Sequence, residues 1–161
     1  MNSFFPDATK IWNSIGTDFE QANSFKIFNK QINSLIRPDS KSTFGIHDTI
    51  GLKFLFQLRI GLSPLKYHKY KHNFQDTPNG ECTCSHRSED TSHFLFFCHL
   101  YSTPRIVLID STSHILNNNN LSHLSENTDL FLYGHRSLSF DDNKTILKST
   151  INFLKESNGF T

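Results

Sequence analysis

All three cysteines of this chain, Cys82, Cys84 and Cys98, fall in one short stretch, with His93 between the second and the third. The spacing is C-x-C-x8-H-x4-C. No other feature restricts the fold as strongly. Three thiolates and one imidazole form a closed tetrahedral set that suits one zinc ion and leaves no position for water. Such a site braces a chain rather than catalysing a reaction. The alternative is three separate buried thiols, since free cysteine often behaves as a small hydrophobe. A disulfide framework fits less well, because the count is odd and a bridge across C-x-C closes a strained ring. His93 and Cys98 are five positions apart, about 140° around an ideal helix, so they do not share a helix face. One of them must stand at a helix end or past a bend. His86 and His99 lie beside the set and are not needed to complete it.

The chain of 161 residues has room for one domain or two small ones. Only 36% of residues are apolar, but sixteen Phe supply large buried surfaces. There is no apolar run of transmembrane length and no basic-then-apolar leader, so the expectation is a soluble intracellular protein, in nucleus or cytoplasm, whose thiols stay reduced. A net charge of +1 does not by itself argue for nucleic acid. Its distribution is more informative. From Thr49 to Gln75 the chain carries Lys53, Arg59, Lys66, Lys69 and Lys71 and no acid, whereas the stretch from Asp110 onward is mildly acidic. A solvated helix face is the plain reading of such a basic segment.

Helical signals dominate. Phe5-Pro6-Asp7 opens a stretch with Ala8, Ile11, Trp12 and Ile15 on one face. Ser24 caps a second stripe of Phe25, Phe28, Ile32, Leu35 and Ile36, ended by Arg37-Pro38. Residues 1–37 thus read as a helical pair, 38–45 as a connector, and 46–161 as a helical domain containing the knuckle, 82–98. Asp48 should cap an almost wholly apolar helix with Leu52, Phe54, Leu55, Phe56, Leu58 and Ile60, expected to be central in the core. Ser63-Pro64 reads as a cap plus first-turn proline for a helix from Leu65 to His72. That helix interleaves Lys66, Lys69 and Lys71 with Tyr67 and Tyr70, a mix able to hold phosphates and stack bases. Core packing is nonetheless the preferred place for Tyr67, Tyr70 and Phe74. Thr91 or Ser92 should cap the helix carrying His93, and Thr103-Pro104 opens the next, with Ile106, Val107, Leu108 and Ile109. Asn117 to Asn120 reads as a loop. Leu130 to Tyr133 is strand or helix by periodicity. Asp141 is the expected cap of a last helix with Ile146, Leu147, Thr150, Ile151, Phe153 and Leu154 inward, stopping at Asn158-Gly159.

Taken in order, F-F-P-x5-W-N, L-R-I-G-L-S-P-L-K-Y-H-K-Y-K-H-N-F, C-x-C-x8-H-F-L-F-F-C-x2-Y-x3-R, L-F-L-Y-G and the closing N-G-F resemble one family. It is the region after the polymerase domain of non-LTR, LINE-type (jockey-like) retrotransposon reverse transcriptases. The resemblance covers about Asn2 to Phe160. It implies a zinc knuckle, with Cys82, Cys84, His93 and Cys98 as ligands, that helps to hold template RNA or target DNA. Tyr101 and Arg105 match the positions after the knuckle. Family members often have Pro directly after the last Cys, where this chain has His99, which weakens the expectation of a bend there. The resemblance also implies a detached or truncated C-terminal piece beginning at an internal Met.

The expectation is therefore a mostly α, small multi-helix domain with one structural zinc. It binds RNA or DNA through Arg59, Lys66, Lys69, Lys71 and Arg105, and it follows the polymerase domain of its parent element. It is not an enzyme on its own, and no membrane or small-molecule substrate is expected. Phe140-Asp141-Asp142 lacks the Y-x-D-D spacing of a polymerase palm and reads as a helix start. No G-x-S-x-G or glycine-rich phosphate loop is present. A different class remains open, a domain that docks on a polymerase or another protein, as does a decayed copy without function.

Overall fold

The structure is a computed structural model that describes residues 45–157. The helical pair expected in residues 1–37, nearly all of the connector and the stop at Asn158-Gly159 lie outside the described residues. The described part is helical, with no strand. Its α-helices are α1 (Thr49–Arg59), α2 (Lys66–Lys71), α3 (Ser102–Asn118), α4 (Thr128–Tyr133) and α5 (Phe140–Glu156). Between α2 and α3 lie the cysteine loop, a π-wound turn at His93–Phe97 and a short 3-10 turn at His99–Tyr101.

The helix ends follow from local chemistry. Asp48 caps α1 as expected, its Oδ1 accepting from Gly51 N at 2.8 Å. The cap of α5 is Ser139, not Asp141: its hydroxyl accepts from Asp142 N at 3.0 Å and donates to the Asp142 carboxylate at 2.8 Å. Asp141 and Asp142 occupy the first turn instead, where negative charge meets the positive end of the helix dipole. Ser63 does not stand at the cap position of α2, which belongs to Leu65. The Ser63 hydroxyl accepts from Leu65 N at 3.3 Å and pairs with His68 Nδ1 at 2.8 Å. The expected asparagine loop is partly helix: α3 runs to Asn118. It closes with Asn120 in the left-handed region (φ 56°), Asn120 N donating to Asn117 O at 3.2 Å and Leu121 N to Leu116 O at 2.8 Å. That pair of bonds is a Schellman closure, with Asn in the place glycine usually takes. Leu130 to Tyr133 is helix, capped by Asn127 accepting from Leu130 N at 3.0 Å.

The core is organised around α5 rather than α1. Helix α5 packs on α1, α3 and α4. Its stripe of Ile146, Leu147, Thr150, Ile151, Phe153 and Leu154 is buried. Helix α1 has apolar residues nearly all round, yet Leu52 and Phe56 are only partly covered. A helix at the centre needs a face for every neighbour, and α5 has that position because α1, α3 and α4 each reach it. Each buried aliphatic or aromatic side chain contributes about 1.5–3 kcal/mol by leaving water. Thr150 joins this stripe because its hydroxyl donates to Ile146 O at 3.0 Å. In α3 the apolar run 106–109 cannot all face inward: Leu108 is buried, while Ile106 and Val107 are 68% and 63% exposed.

The α1–α5 crossing is close at Gly51. A methyl group there would fall on Ile151 Cγ2. Gly51→Ala should destabilise by about 1–3 kcal/mol through overpacking, despite the better helix propensity of Ala. Urea unfolding measures this, and an unchanged midpoint would contradict the close crossing.

His68 anchors α2 from below. Burial, with His72 as the next contributor, pushes its pKa down to about 4. The unfolded chain then takes up this proton near the ordinary value of 6.5 while the folded chain resists it. Stability drawn from neutral His68 is therefore full above about pH 6.5 and lost as pH falls toward 4. NMR titration of the His68 ring should show a midpoint near 4.

Candidate metal centre

The cysteine loop is a tight turn held by its own backbone. Cys82 N donates to His86 O at 2.9 Å, Ser85 N to Cys82 O at 3.0 Å, and Glu89 N to Gly80 O at 2.7 Å. Ser85 takes a positive φ of 71° to close it. This winding aims the side chains of Cys82 and Cys84 inward while Thr83 between them stays exposed.

The other two candidate ligands come from the π-wound turn. Asp90, rather than Thr91 or Ser92, starts this segment, its Oδ1 accepting from His93 N at 2.9 Å. Cys98 N then donates to His93 O at 2.7 Å, a bond spanning five residues. The wider turn reduces the angular mismatch that an ideal helix imposes on positions five apart. Cys98 itself is extended (φ −68°, ψ 120°), so the chain does bend there, without the proline. The same turn sends Phe94, Leu95 and Phe96 into the core, where Phe94 meets Phe153 edge-on at 5.1 Å and Phe96 meets Phe131 at 5.3 Å.

The four donor atoms of Cys82, Cys84, His93 and Cys98 all lie within 4.8 Å of one another. Cys82 Sγ is 3.6 Å from Cys98 Sγ, and Cys84 Sγ is 3.1 Å from His93 Nε2. Metal–sulfur bonds of about 2.3 Å in a tetrahedron put sulfurs about 3.8 Å apart. The sulfur–sulfur separation fits that figure and is far beyond a disulfide bond of about 2.05 Å, and all three thiols are free. This buried cluster could hold a metal ion. His86 is not one of the four; its ring lies flat against His93 at 4.0 Å. His93 Nδ1 is buried without a hydrogen-bond partner, so stacking and backbone, not the usual carboxylate or carbonyl, orient this imidazole.

Burial pushes the Cys82 thiol up to about 12, and it raises Cys98 as well. Burial also resists ionisation of Cys84, but the hydrogen bonds from the His86 backbone and the neighbouring thiols outweigh it and hold this thiol below its ordinary value. Burial keeps His93 neutral, the form that ligates. Metal binding at this site therefore has to displace the protons of Cys82 and Cys98.

Glu89 is the residue that spacing did not single out. It is buried, with Oε1 3.5 Å from Cys82 Sγ and Oε2 accepting from Lys66 N at 2.8 Å. One carboxylate thus joins the cysteine loop to the first turn of the basic helix. Thr91 adds a second tie, its hydroxyl 3.4 Å from His68 Nε2.

The two arginines expected to contact nucleic acid both donate to backbone carbonyls. Arg105 is buried and donates to three carbonyls around the π turn: Nε to Leu95 O at 2.7 Å, and Nη2 to Phe94 O at 3.2 Å and Cys98 O at 2.6 Å. Arg59 donates from Nε to Leu132 O at 2.7 Å and lies over the Tyr133 ring, 5.2 Å from its centroid. Leu132 O lies in the last turn of α4, where open carbonyls and positive charge meet; Cys98 O also accepts from Tyr101 N at 3.2 Å. On α2, Lys71 is exposed, Lys66 is partly covered, and Lys69 pairs with Asp76 at 3.2 Å. Tyr67 and Tyr70 are 38% and 50% exposed, not in the core where they were expected. No helix among the described residues is long and apolar enough to cross a membrane. Comparison with protein-family models, curated proteins and solved structures finds no match.

Metal binding should saturate at one equivalent and release protons, because Cys82 and Cys98 must give theirs up. Affinity then weakens as pH falls. Titration with Zn²⁺ in buffers of different ionisation enthalpy reads both effects. Cys84→Ser should lower affinity by at least tenfold; an unchanged affinity would remove Cys84 from the ligand set.

Proposed function

We propose that this chain is a zinc-stabilised nucleic-acid-binding module, related to the post-polymerase region of non-LTR retrotransposon reverse transcriptases. The reading rests chiefly on one observation: the Cys82–Cys84–His93–Cys98 cluster is tied through Glu89 to a helix whose outer side carries lysines and tyrosines. Thiolate and imidazole donors in a closed set select zinc over the harder divalent cations. An intracellular setting keeps such thiols reduced.

In this reading zinc performs no chemistry. It holds the loop, and the loop holds α2. Lys66 and Lys71 contact phosphate, and among the described residues no ion pair engages either of them. Lys69 exchanges Asp76 for phosphate, at small cost because exposed ion pairs contribute about 0–1 kcal/mol. The partner is template RNA or target DNA beside a polymerase domain. The module has no reaction of its own: Asp141 and Asp142 serve the start of α5, and Asp142 is engaged by Ser139.

A protein-docking role is the second reading. It draws on Phe97 and Leu100, 56% and 49% exposed on either side of Cys98, and on Ile106 and Val107 nearby in sequence. Large exposed apolar groups near one another mark contact surfaces.

The two readings separate on salt. The affinity of zinc-loaded protein for labelled RNA and DNA oligonucleotides should fall steeply with salt. Lys66→Ala/Lys71→Ala should flatten the log–log slope by about two, one for each contact. Binding that ignores salt, or a double variant that binds like the parent, favours docking instead.

A further inference from the structure

We propose that α2 presents its outer face to single-stranded nucleic acid, with Tyr67 and Tyr70 as platforms on which unpaired bases stack. The proposal rests on the nucleic-acid reading above and narrows its partner. Tyr67, Tyr70 and Lys71 stand at i, i+3 and i+4, so they share one side of the helix. All three are exposed. Other tyrosines in the fold are committed elsewhere. Tyr133 donates to Arg59 O at 3.1 Å, and Tyr101 packs edge-on against Phe94 at 4.7 Å. Among the described residues, neither the Tyr67 nor the Tyr70 hydroxyl has a hydrogen-bond partner.

The inner side of α2 is fixed, which makes the outer side a prepared surface. His68 is clasped between Ser63 and Thr91, and Glu89 receives the Lys66 amide. Gly80, from the turn before Cys82, lies against Tyr67: a Cβ at Gly80 would stand 3.1 Å from both Tyr67 Cα and Cδ2. The absent side chain is what lets the loop support this tyrosine so closely. A ring held in this way, as Tyr67 is, loses little freedom when a base arrives.

Unpaired bases expose their faces, and every base has one, so aromatic platforms beside cations recognise single strands without needing a particular sequence. A duplex hides those faces and offers only phosphates to the lysines. The two ligands therefore make different demands on the tyrosines.

The test uses the full zinc-loaded chain and fluorescence anisotropy with single-stranded RNA, single-stranded DNA and the corresponding duplexes. Single strands should bind at least tenfold more tightly than duplexes. Tyr67→Leu and Tyr70→Leu keep side-chain bulk but remove the ring. Each should weaken single-strand binding by about tenfold and leave duplex binding unchanged. Tyr67→Phe and Tyr70→Phe should behave like the parent, because stacking needs the ring and not the hydroxyl. Leucine variants that bind single strands as well as the parent, or duplexes bound equally well, overturn the single-strand assignment while leaving nucleic-acid binding in place. Absence of binding to all four probes overturns the nucleic-acid reading itself.

Discussion

The hydrogen bond from Cys98 N to His93 O sets the terms for the rest of this domain. It closes a turn one residue wider than an α-helical turn. The residues of this turn then serve two environments at once. His93 and Cys98 converge with Cys82 and Cys84, while Phe94, Leu95 and Phe96 enter the apolar core. A regular helix would separate His93 from Cys98 by about 140°, and the cluster would not assemble. Arg105 supports the wide turn from α3 by donating to the carbonyls of Phe94, Leu95 and Cys98. A buried carbonyl left without a partner costs about 1–3 kcal/mol, and of these three Cys98 O has a further donor in Tyr101 N at 3.2 Å.

From that turn, order passes to the surface through few contacts. The cysteine loop returns to the π turn through Glu89 and Asp90, one reaching α2 and the other starting the turn. Helix α2 is only six residues long, too short to persist alone. Its stability comes from His68 and from the loop against it. In the proposed function, an ion in the cluster governs a binding surface without touching it, because the surface exists only where the loop places it.

Charged residues divide by what the fold asks of them. Arg59 and Arg105 both donate to backbone carbonyls, Arg59 to Leu132 O and Arg105 to the π turn. A guanidinium offers several donors in one plane, which suits it to bridging neighbouring carbonyls. The lysines of α2 carry compact charges on long stems and stay at the surface. Within the basic segment, Arg59 turns to Leu132 O while Lys71 of α2 faces solvent.

Much of this was legible in the residues themselves. The candidate ligand set follows from thiol chemistry and spacing, the helical class from apolar periodicity, and the Asp48 cap from its place before an apolar run. These are local properties that survive without knowledge of the fold. The rest depended on packing. Whether Leu130 to Tyr133 became helix, whether α1 or α5 lay at the centre, and which apolar residues of α3 faced inward were decided by neighbours distant in the chain. So was the side of α2 that His68 buried, and with it the exposure of Tyr67 and Tyr70. Composition places lysine and tyrosine together, but only the ties from Ser63, Glu89 and Thr91 choose which face looks outward. Spacing named the four candidate ligands, and the π turn, which no periodicity announces, brought them within reach of one another.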